Sequence, residues 1–156
     1  MNELLKLLEN DARLSPETLA LMLDKEVGDI RAMIGEAEQE GIIVGYHTMI
    51  DWDKTDRESV SAMIELKITP QRNTGFGKIA RKVSKYAQVD ACFLMSGAYD
   101  LLVFVSGSSL QDVAEFVSSE LSTIEGVLST ATHFMLKTYK ASGEYAFEED
   151  KRLPVV

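Results

Sequence analysis

The side chains that most often carry catalysis or bind metals are few in this sequence and stand far apart. The single cysteine, Cys92, has no second cysteine for a disulfide and no evident base to activate its thiol. His47 and His133 fall on predicted strands without a second metal ligand beside them. No nucleophile with its base, no pair of catalytic acids and no phosphate-binding loop is visible. We therefore expect no enzymatic activity, no metal and no cofactor, and we interpret Cys92 as a small apolar residue.

The distribution of charge restricts the partners that the chain can bind. The net charge is −9 over 156 residues; residues 1–60 hold 14 acids and 6 bases, and residues 61–156 hold 11 acids and 10 bases. The average field repels nucleic acid, so any DNA contact requires a local cationic patch. No apolar run approaches the roughly 18 residues of a membrane span, and the start of the chain lacks the basic region of a signal peptide. The sequence thus predicts a cytoplasmic protein with no membrane partner.

Three helical patterns precede a possible wing in the first third of the chain. Leucines at positions 4, 5, 7 and 8 predict a short first helix. Ser15, followed by a proline and a glutamate, predicts the N-cap of a second helix. A third helix is predicted from Val27 to a left-handed stop at Gly41. Two helices joined by a few residues behind a supporting helix predict a helix-turn-helix, and 42–44 and 46–50 predict the two short strands of a wing.

A polar stretch, 51–59, is the predicted hinge, and from Val60 the hydrophobic period changes to two. The order of elements from there is β-α-β-β-α-β, typical of a ferredoxin-like antiparallel sheet. The predicted elements are strand 60–68, helix 76–86, strands 89–95 and 101–105, a helix from the capping box Ser108–Gln111 through Leu121, and strand 127–136. The fold class is therefore α+β, with a winged helix-turn-helix in 1–50, a hinge in 51–59 and a ferredoxin-like domain in 60–156.

In such a domain both helices pack on one sheet face. If the other face is apolar, something else must bury it. We place Met63, Cys92 and Phe134 on this second face, which is then too apolar for water alone. Self-association through the sheets is the economical solution.

Three short segments resemble the Lrp/AsnC (feast/famine) family of amino-acid-responsive transcriptional regulators. Residues 38–46 close the third helix as in that family, residues 96–102 resemble its turn before the third sheet strand, and residues 121–127 match more weakly. The resemblance covers about the whole chain and implies a C-terminal domain of the RAM type. It also implies binding of double-stranded DNA, assembly into homodimers and octamers, and an amino acid or related small effector held between dimers.

The resemblance places the effector at the turn that contains Gly97 and Asp100. A glycine there exposes backbone N–H groups to an α-carboxylate, the aspartate can receive an α-ammonium, and Tyr99 can form a wall. Hydroxyls would come from Ser96 and Thr132 if the strands align as in relatives. The expected effector-binding residues are Met95, Ser96, Gly97, Ala98, Tyr99, Asp100 and Thr132.

The predicted recognition helix departs from the family pattern, because Ala32 and Glu36 stand in a region where relatives usually carry several bases. The expected DNA-binding residues are Lys25, Asp29, Arg31, Ala32, Lys54 and Arg57. This weakness leaves an alternative open: a regulator-derived ligand sensor or adaptor without autonomous DNA binding, which acts in hetero-oligomers with a more basic paralogue. The basic row Lys78, Arg81, Lys82 and Lys85 is interpreted as a solvated helix face.

Overall fold

A computed structural model describes residues 1–56, 59–70, 75–141 and 143–145. The chain divides into two compact units, Met1–Ile50 and Asp51–Val156. The hinge predicted at 51–59 falls in the second unit, where Trp52–Lys54 forms one 3₁₀ turn. No helix among the described residues is long and apolar enough to cross a membrane.

The first unit consists of three helices, which confirms the predicted helical order. They are α1 (Asn2–Asn10), α2 (Pro16–Leu23) and α3 (Val27–Gln39). The Ser15 side chain accepts a hydrogen bond from the Thr18 N–H at 3.1 Å, as expected of the α2 N-cap. Their inward faces form a small core of Leu4, Leu8, Leu19, Ala20 and Ile30.

Gly41 ends α3 as predicted, but the wing strands are wrong. The glycine has a φ of +69°, and the amides of Ile42 and Ile43 both donate to the Ala37 carbonyl, at 2.8 and 3.0 Å. Residues 44–50 then run without helix or strand. The physical reason is that a strand needs a partner for its backbone groups, and this segment pairs with no strand among the described residues of the first unit. Val44 is accordingly 93% exposed.

The second unit carries a four-stranded antiparallel sheet in the predicted order. Its elements are β1 (Val60–Ile68), α4 (Gly77–Val83), β2 (Val89–Leu94), β3 (Leu101–Gly107), α5 (Leu110–Phe116), a π-helical turn (Val117–Leu121) and β4 (Val127–Phe134). The spatial order β2-β3-β1-β4, with β1 central and antiparallel to both neighbours, is the ferredoxin-like arrangement. A two-stranded pair, β5 (Lys140–Ala141) and β6 (Glu144–Tyr145), follows and was not predicted.

One sheet face packs against α4 and α5 and forms the core. Alternate β1 residues, from Ala62 to Ile68, and alternate β3 residues, from Leu101 to Val105, are 3% exposed or less. The predicted placement of Cys92 and Phe134 on the opposite face is wrong, because both pack against this core.

The face away from the helices is the open face, defined by Met63, Phe93, Leu102 and Phe104 together with Glu65 and His133. Met63 lies there as predicted. The rings of Phe93 and Phe104 meet edge to face, with centroids 6.2 Å apart. His133 Nε2 lies 3.3 Å from Glu65 Oε1 across β1 and β4. Phe93 remains 51% exposed, so the single chain leaves this face uncovered.

The start of α5 differs by one residue from the predicted capping box. Ser109, not Ser108, is the N-cap, and its hydroxyl accepts from the Asp112 N–H at 3.1 Å. The hydroxyl of Ser108 donates instead to the Asp112 carboxylate. Because two serines are adjacent, the sequence allowed either of them to be the N-cap.

Candidate functional site

The predicted DNA-contacting residues of the first unit lie on the surface around the start of α3. Lys25, Asp29, Arg31 and Ala32 are all exposed. Lys25 forms no ion pair within the part of the chain that the structure describes. Its ammonium is therefore available to a phosphate.

Arg31, the one base within α3, is held by an acid on the neighbouring helix. Its Nη2 donates to Glu17 Oε1 at 2.8 Å, with the two side chains 63% and 58% exposed. A hydrogen bond from the backbone, followed by the one from Arg31, holds the pKa of Glu17 below its ordinary value. The glutamate is thus ionised at neutral pH and competes with any phosphate for this guanidinium.

Towards the C-terminal end of α3, the charged residues are all acids. Glu36, Glu38 and Glu40 are exposed, and the last turn contains no base. Glu38 accepts a hydrogen bond from the Tyr46 hydroxyl at 2.9 Å, and desolvation together with this bond raises the pKa of Tyr46. A DNA backbone laid along the whole length of α3 would meet these carboxylates.

Of the two predicted hinge cations, only Lys54 lies within the described residues. Lys54 Nζ lies 3.6 Å from Asp51 Oδ2 and is thereby partly neutralised. Arg57 lies outside the described residues.

A cleft of about 510 Å³ between α1 and the segment after α3 was not predicted. Its lining includes Leu5, Leu8 and Ala12 on one side and Ile42–His47 on the other. None of the predicted DNA-contacting residues lines it. The sequence signal for it was the same run of apolar residues that suggested a wing.

The predicted effector residues from Met95 to Asp100 form one turn between β2 and β3. The Met95 N–H donates to the Asp100 carbonyl at 2.8 Å and closes the turn. The Asp100 N–H donates to the Leu66 carbonyl at 2.9 Å, and Asp100 Oδ2 accepts from the Ile68 N–H at 2.8 Å. The aspartate therefore fixes the turn to the end of β1.

Within this turn, four successive backbone N–H groups have no hydrogen-bond acceptor among the described residues. Residues 96–99 donate to no acceptor among the described residues, and 96–98 are exposed at the surface. Gly97 has a φ of +153°, which side chains with a Cβ rarely adopt. Tyr99 is half-buried beside it. Successive free amides in a turn are the kind of group that binds a carboxylate or another small anion.

Thr132 does not join this group as expected. It pairs with Ile64 on β1, whereas Thr130 pairs with Leu66, whose carbonyl accepts the Asp100 N–H. Thr130 is thus one step nearer the turn along β1, and both threonines are half-buried. The sequence could not choose between them, because the register of β4 depends on the bulge between Lys67 and Ile68.

The other chemistry-bearing residues show no assembled site. Burial raises the pKa of the Cys92 thiol, so it stays protonated and unreactive at neutral pH. Among the described residues, no group of three or more histidine, cysteine or acidic side chains is placed to hold a metal ion.

Comparisons with known proteins found similarity over both units of the chain. The family model of the Lrp/AsnC ligand binding domain matches residues 61–145. An uncharacterized HTH-type transcriptional regulator of Bacillus subtilis, YugG, is 44% identical over 157 residues, which cover 98% of this chain and 94% of the relative. A second uncharacterized HTH-type transcriptional regulator, from Pyrococcus furiosus, is 31% identical over 88% of this chain and 90% of its own. A Neisseria meningitidis transcriptional regulator, solved as an L-Met complex, shares the fold with a TM-score of 0.71, at 22% identity over 88% of each chain.

Proposed function

Because this chain belongs to the Lrp/AsnC family of HTH-type transcriptional regulators, we propose that it binds duplex DNA and that a bound amino acid alters this binding. The observation that carries the effector half is the turn Met95–Asp100, with its four free amides and its adjacent carboxylate. The DNA-binding half is supported by similarity to HTH-type regulators along nearly the whole chain.

The turn has the polar groups that an α-amino acid requires. Its free N–H groups would bind the α-carboxylate. Asp100 uses Oδ2 to accept from Ile68, and Oδ1 would receive the α-ammonium. The half-buried Tyr99 would contact the side chain of the effector. A relative of similar fold was solved as an L-Met complex, which supports the amino acid class without naming the effector of this chain.

Assembly would connect this turn to DNA binding. We infer that the open face pairs with the same face of a second copy, since an exposed Phe93 packed edge to face on a half-buried Phe104 leaves apolar surface in water. In such a dimer, and in octamers built from it, several α2–α3 units would bind one duplex. Their individually weak contacts would then add through avidity. The effector would act by favouring one arrangement of subunits over another.

Fluorescence anisotropy with a duplex from upstream of the coding region tests the proposal. We expect sequence-selective binding at low salt, with an affinity that at least one amino acid of a complete panel changes. Thr130→Val and Thr132→Val form a matched pair, since both remove one half-buried hydroxyl from the same strand. Only the change nearer the turn, at Thr130, should weaken the effector response. Absence of any selective binding would refute the DNA half, and an unresponsive complex would refute the effector half.

A second function is favoured by the ion pair on α3. With Arg31 bound to Glu17 and acids along the rest of the helix, the chain would act as a sensor that joins a more basic paralogue and does not bind DNA alone. In that case amino acid binding persists, the purified protein shows no duplex binding, and Arg31→Ala leaves the mixed complex on DNA unchanged.

A further inference from the structure

We propose that the outward face of α4 and of the turn after it, formed by Lys78, Arg81, Lys82 and Lys85, is a second DNA-contacting surface that binds the phosphate backbone. The proposal rests on the proposed function, because it assumes that the assembled protein holds a duplex. In this proposal the second unit contacts DNA phosphates itself, in addition to the contacts made by the helix-turn-helix.

The sequence around α4 is strongly cationic in an otherwise acidic chain. Residues 66–89 contain six bases and no acid, whereas the whole chain carries −9. The remaining residues therefore carry −15. The first unit alone, Met1–Ile50, holds ten acids and four bases. Phosphate binding depends on local cations, and the densest group of them lies on α4.

The geometry of α4 keeps these cations available. The helix packs on the sheet through Ile79 and Val83, which are 2% and 0% exposed. Its three bases are exposed on the outward side, and so is Lys85 in the turn that follows. None of the four forms an ion pair with a carboxylate in the described part of the chain. Glu125 lines a small cleft together with Lys78 and Lys82, but within the described residues neither lysine forms an ion pair with it.

The length of the row suits a DNA strand. The bases within α4, from Lys78 to Lys82, span about 6 Å along the helix axis, and Lys85 follows in the next turn. One DNA strand carries a phosphate for about every 3.4 Å of axis, so the helical part of the row can face about two phosphates.

The composition of this surface favours a nucleic acid over a protein. From residue 53 to residue 92, no large apolar side chain is exposed among the described residues. Protein interfaces need buried apolar or aromatic anchors at their centre, whereas DNA interfaces are polar and positive. The charged residues of α4 itself, Lys78, Arg81 and Lys82, are moreover all bases. The main competing partner is the acidic first unit of another copy.

Salt titration of duplex binding by the full-length protein tests the assignment. The variant Lys78→Gln with Lys82→Gln is compared with the control Lys137→Gln with Lys140→Gln, which loses the same charge from the same unit. The probe is a duplex of mixed sequence, because phosphate contacts do not require an operator. Each lost contact lowers the slope of log affinity against log salt by about 0.9. We expect a slope lower by about 1.8 and, at 0.1 M salt, an affinity lower by about 60-fold, with the control near wild type.

The outcomes separate this inference from the proposed function. If wild type binds DNA and the α4 variant titrates like the control, the inference is wrong and the proposed function stands. If wild type binds no duplex at all, the proposed function fails first and the inference fails with it. If the α4 variant instead changes the sedimenting species without changing DNA affinity, the surface binds the acidic unit of another copy, which also overturns the assignment. A reduced slope on mixed-sequence DNA without operator selectivity supports the α4 surface and refutes selective recognition.

Discussion

Replacing Asp100 separates the structural role of its carboxylate from its proposed role towards an effector. The last backbone pair between β1 and β3 joins Leu66 and Leu101, and the carboxylate then accepts the Ile68 N–H at 2.8 Å. This bond meets β1 at the bulge between Lys67 and Ile68, where the ladder with β4 shifts register. Ile68 is 3% exposed, so water cannot readily replace the lost acceptor. Asp100→Ala should therefore lower the free energy of unfolding by about 2 kcal/mol, the cost of an unsatisfied buried donor.

Asp100→Asn is the matched variant, because its amide oxygen can still accept from Ile68. We expect it to lower the free energy of unfolding by less than about 1 kcal/mol, since the acceptor is kept and only its charge is lost. Urea unfolding at one fixed protein concentration measures both values, as assembly adds a concentration-dependent term. The same Asn variant removes the charge that would pair with an α-ammonium, and its amino acid affinity should fall about tenfold or more. Equal stability of the alanine variant and wild type would refute the structural role, and an unchanged amino acid affinity of the Asn variant would refute the binding role.

Three further changes test other parts of the molecule. Glu17→Gln should release Arg31 for a phosphate, raise duplex affinity a few-fold and steepen the salt slope by about 0.9; an unchanged slope means that α3 does not contact DNA. Phe93→Asp should convert the assembled protein to a single subunit in sedimentation velocity, because the side chain is 51% exposed on the open face and a carboxylate there opposes pairing; an intact oligomer would contradict this. Ser15→Ala should lower the free energy of unfolding of the first unit by about 1 kcal/mol in urea titration, since the Thr18 N–H loses its acceptor; an alanine variant that unfolds at the same urea concentration as wild type would show that the cap is unimportant.

Local signals in the sequence predicted most of the secondary structure. Ser15 before a proline identified the start of α2, and Gly41 identified the end of α3, because each residue type satisfies a specific backbone requirement at that place. The strict alternation from Val60 to Ile68 predicted both β1 and its buried face. Each of these features is determined by residues that are close together in the sequence, so the sequence alone is enough to predict it.

The features that were missed depend on contacts between distant segments. The prediction of the wing strands was wrong because residues 42–50 pair with no strand among the described residues of the first unit. Cys92 and Phe134 were placed on the wrong sheet face, because an extra residue in β2 and another in β4 shift the alternation that the sequence suggests. The same shifts explain why Thr130 and not Thr132 lies nearer the effector turn. The ion pair between Glu17 and Arg31 spans two helices and has no signal along the chain.

The contrast between the acids around α3 and the cations of α4 gives a physical reason why an acidic chain would bind DNA selectively. Acids on α3 and around it would repel any duplex, and base contacts to a matching site would offset part of that repulsion. The cations of α4 would supply backbone affinity that is independent of sequence. If the effector changes the arrangement of subunits, it would also change which of these surfaces bind DNA together. On this reasoning the α4 variant should lose affinity and keep its effector response, whereas Asp100→Asn should keep affinity and lose the response.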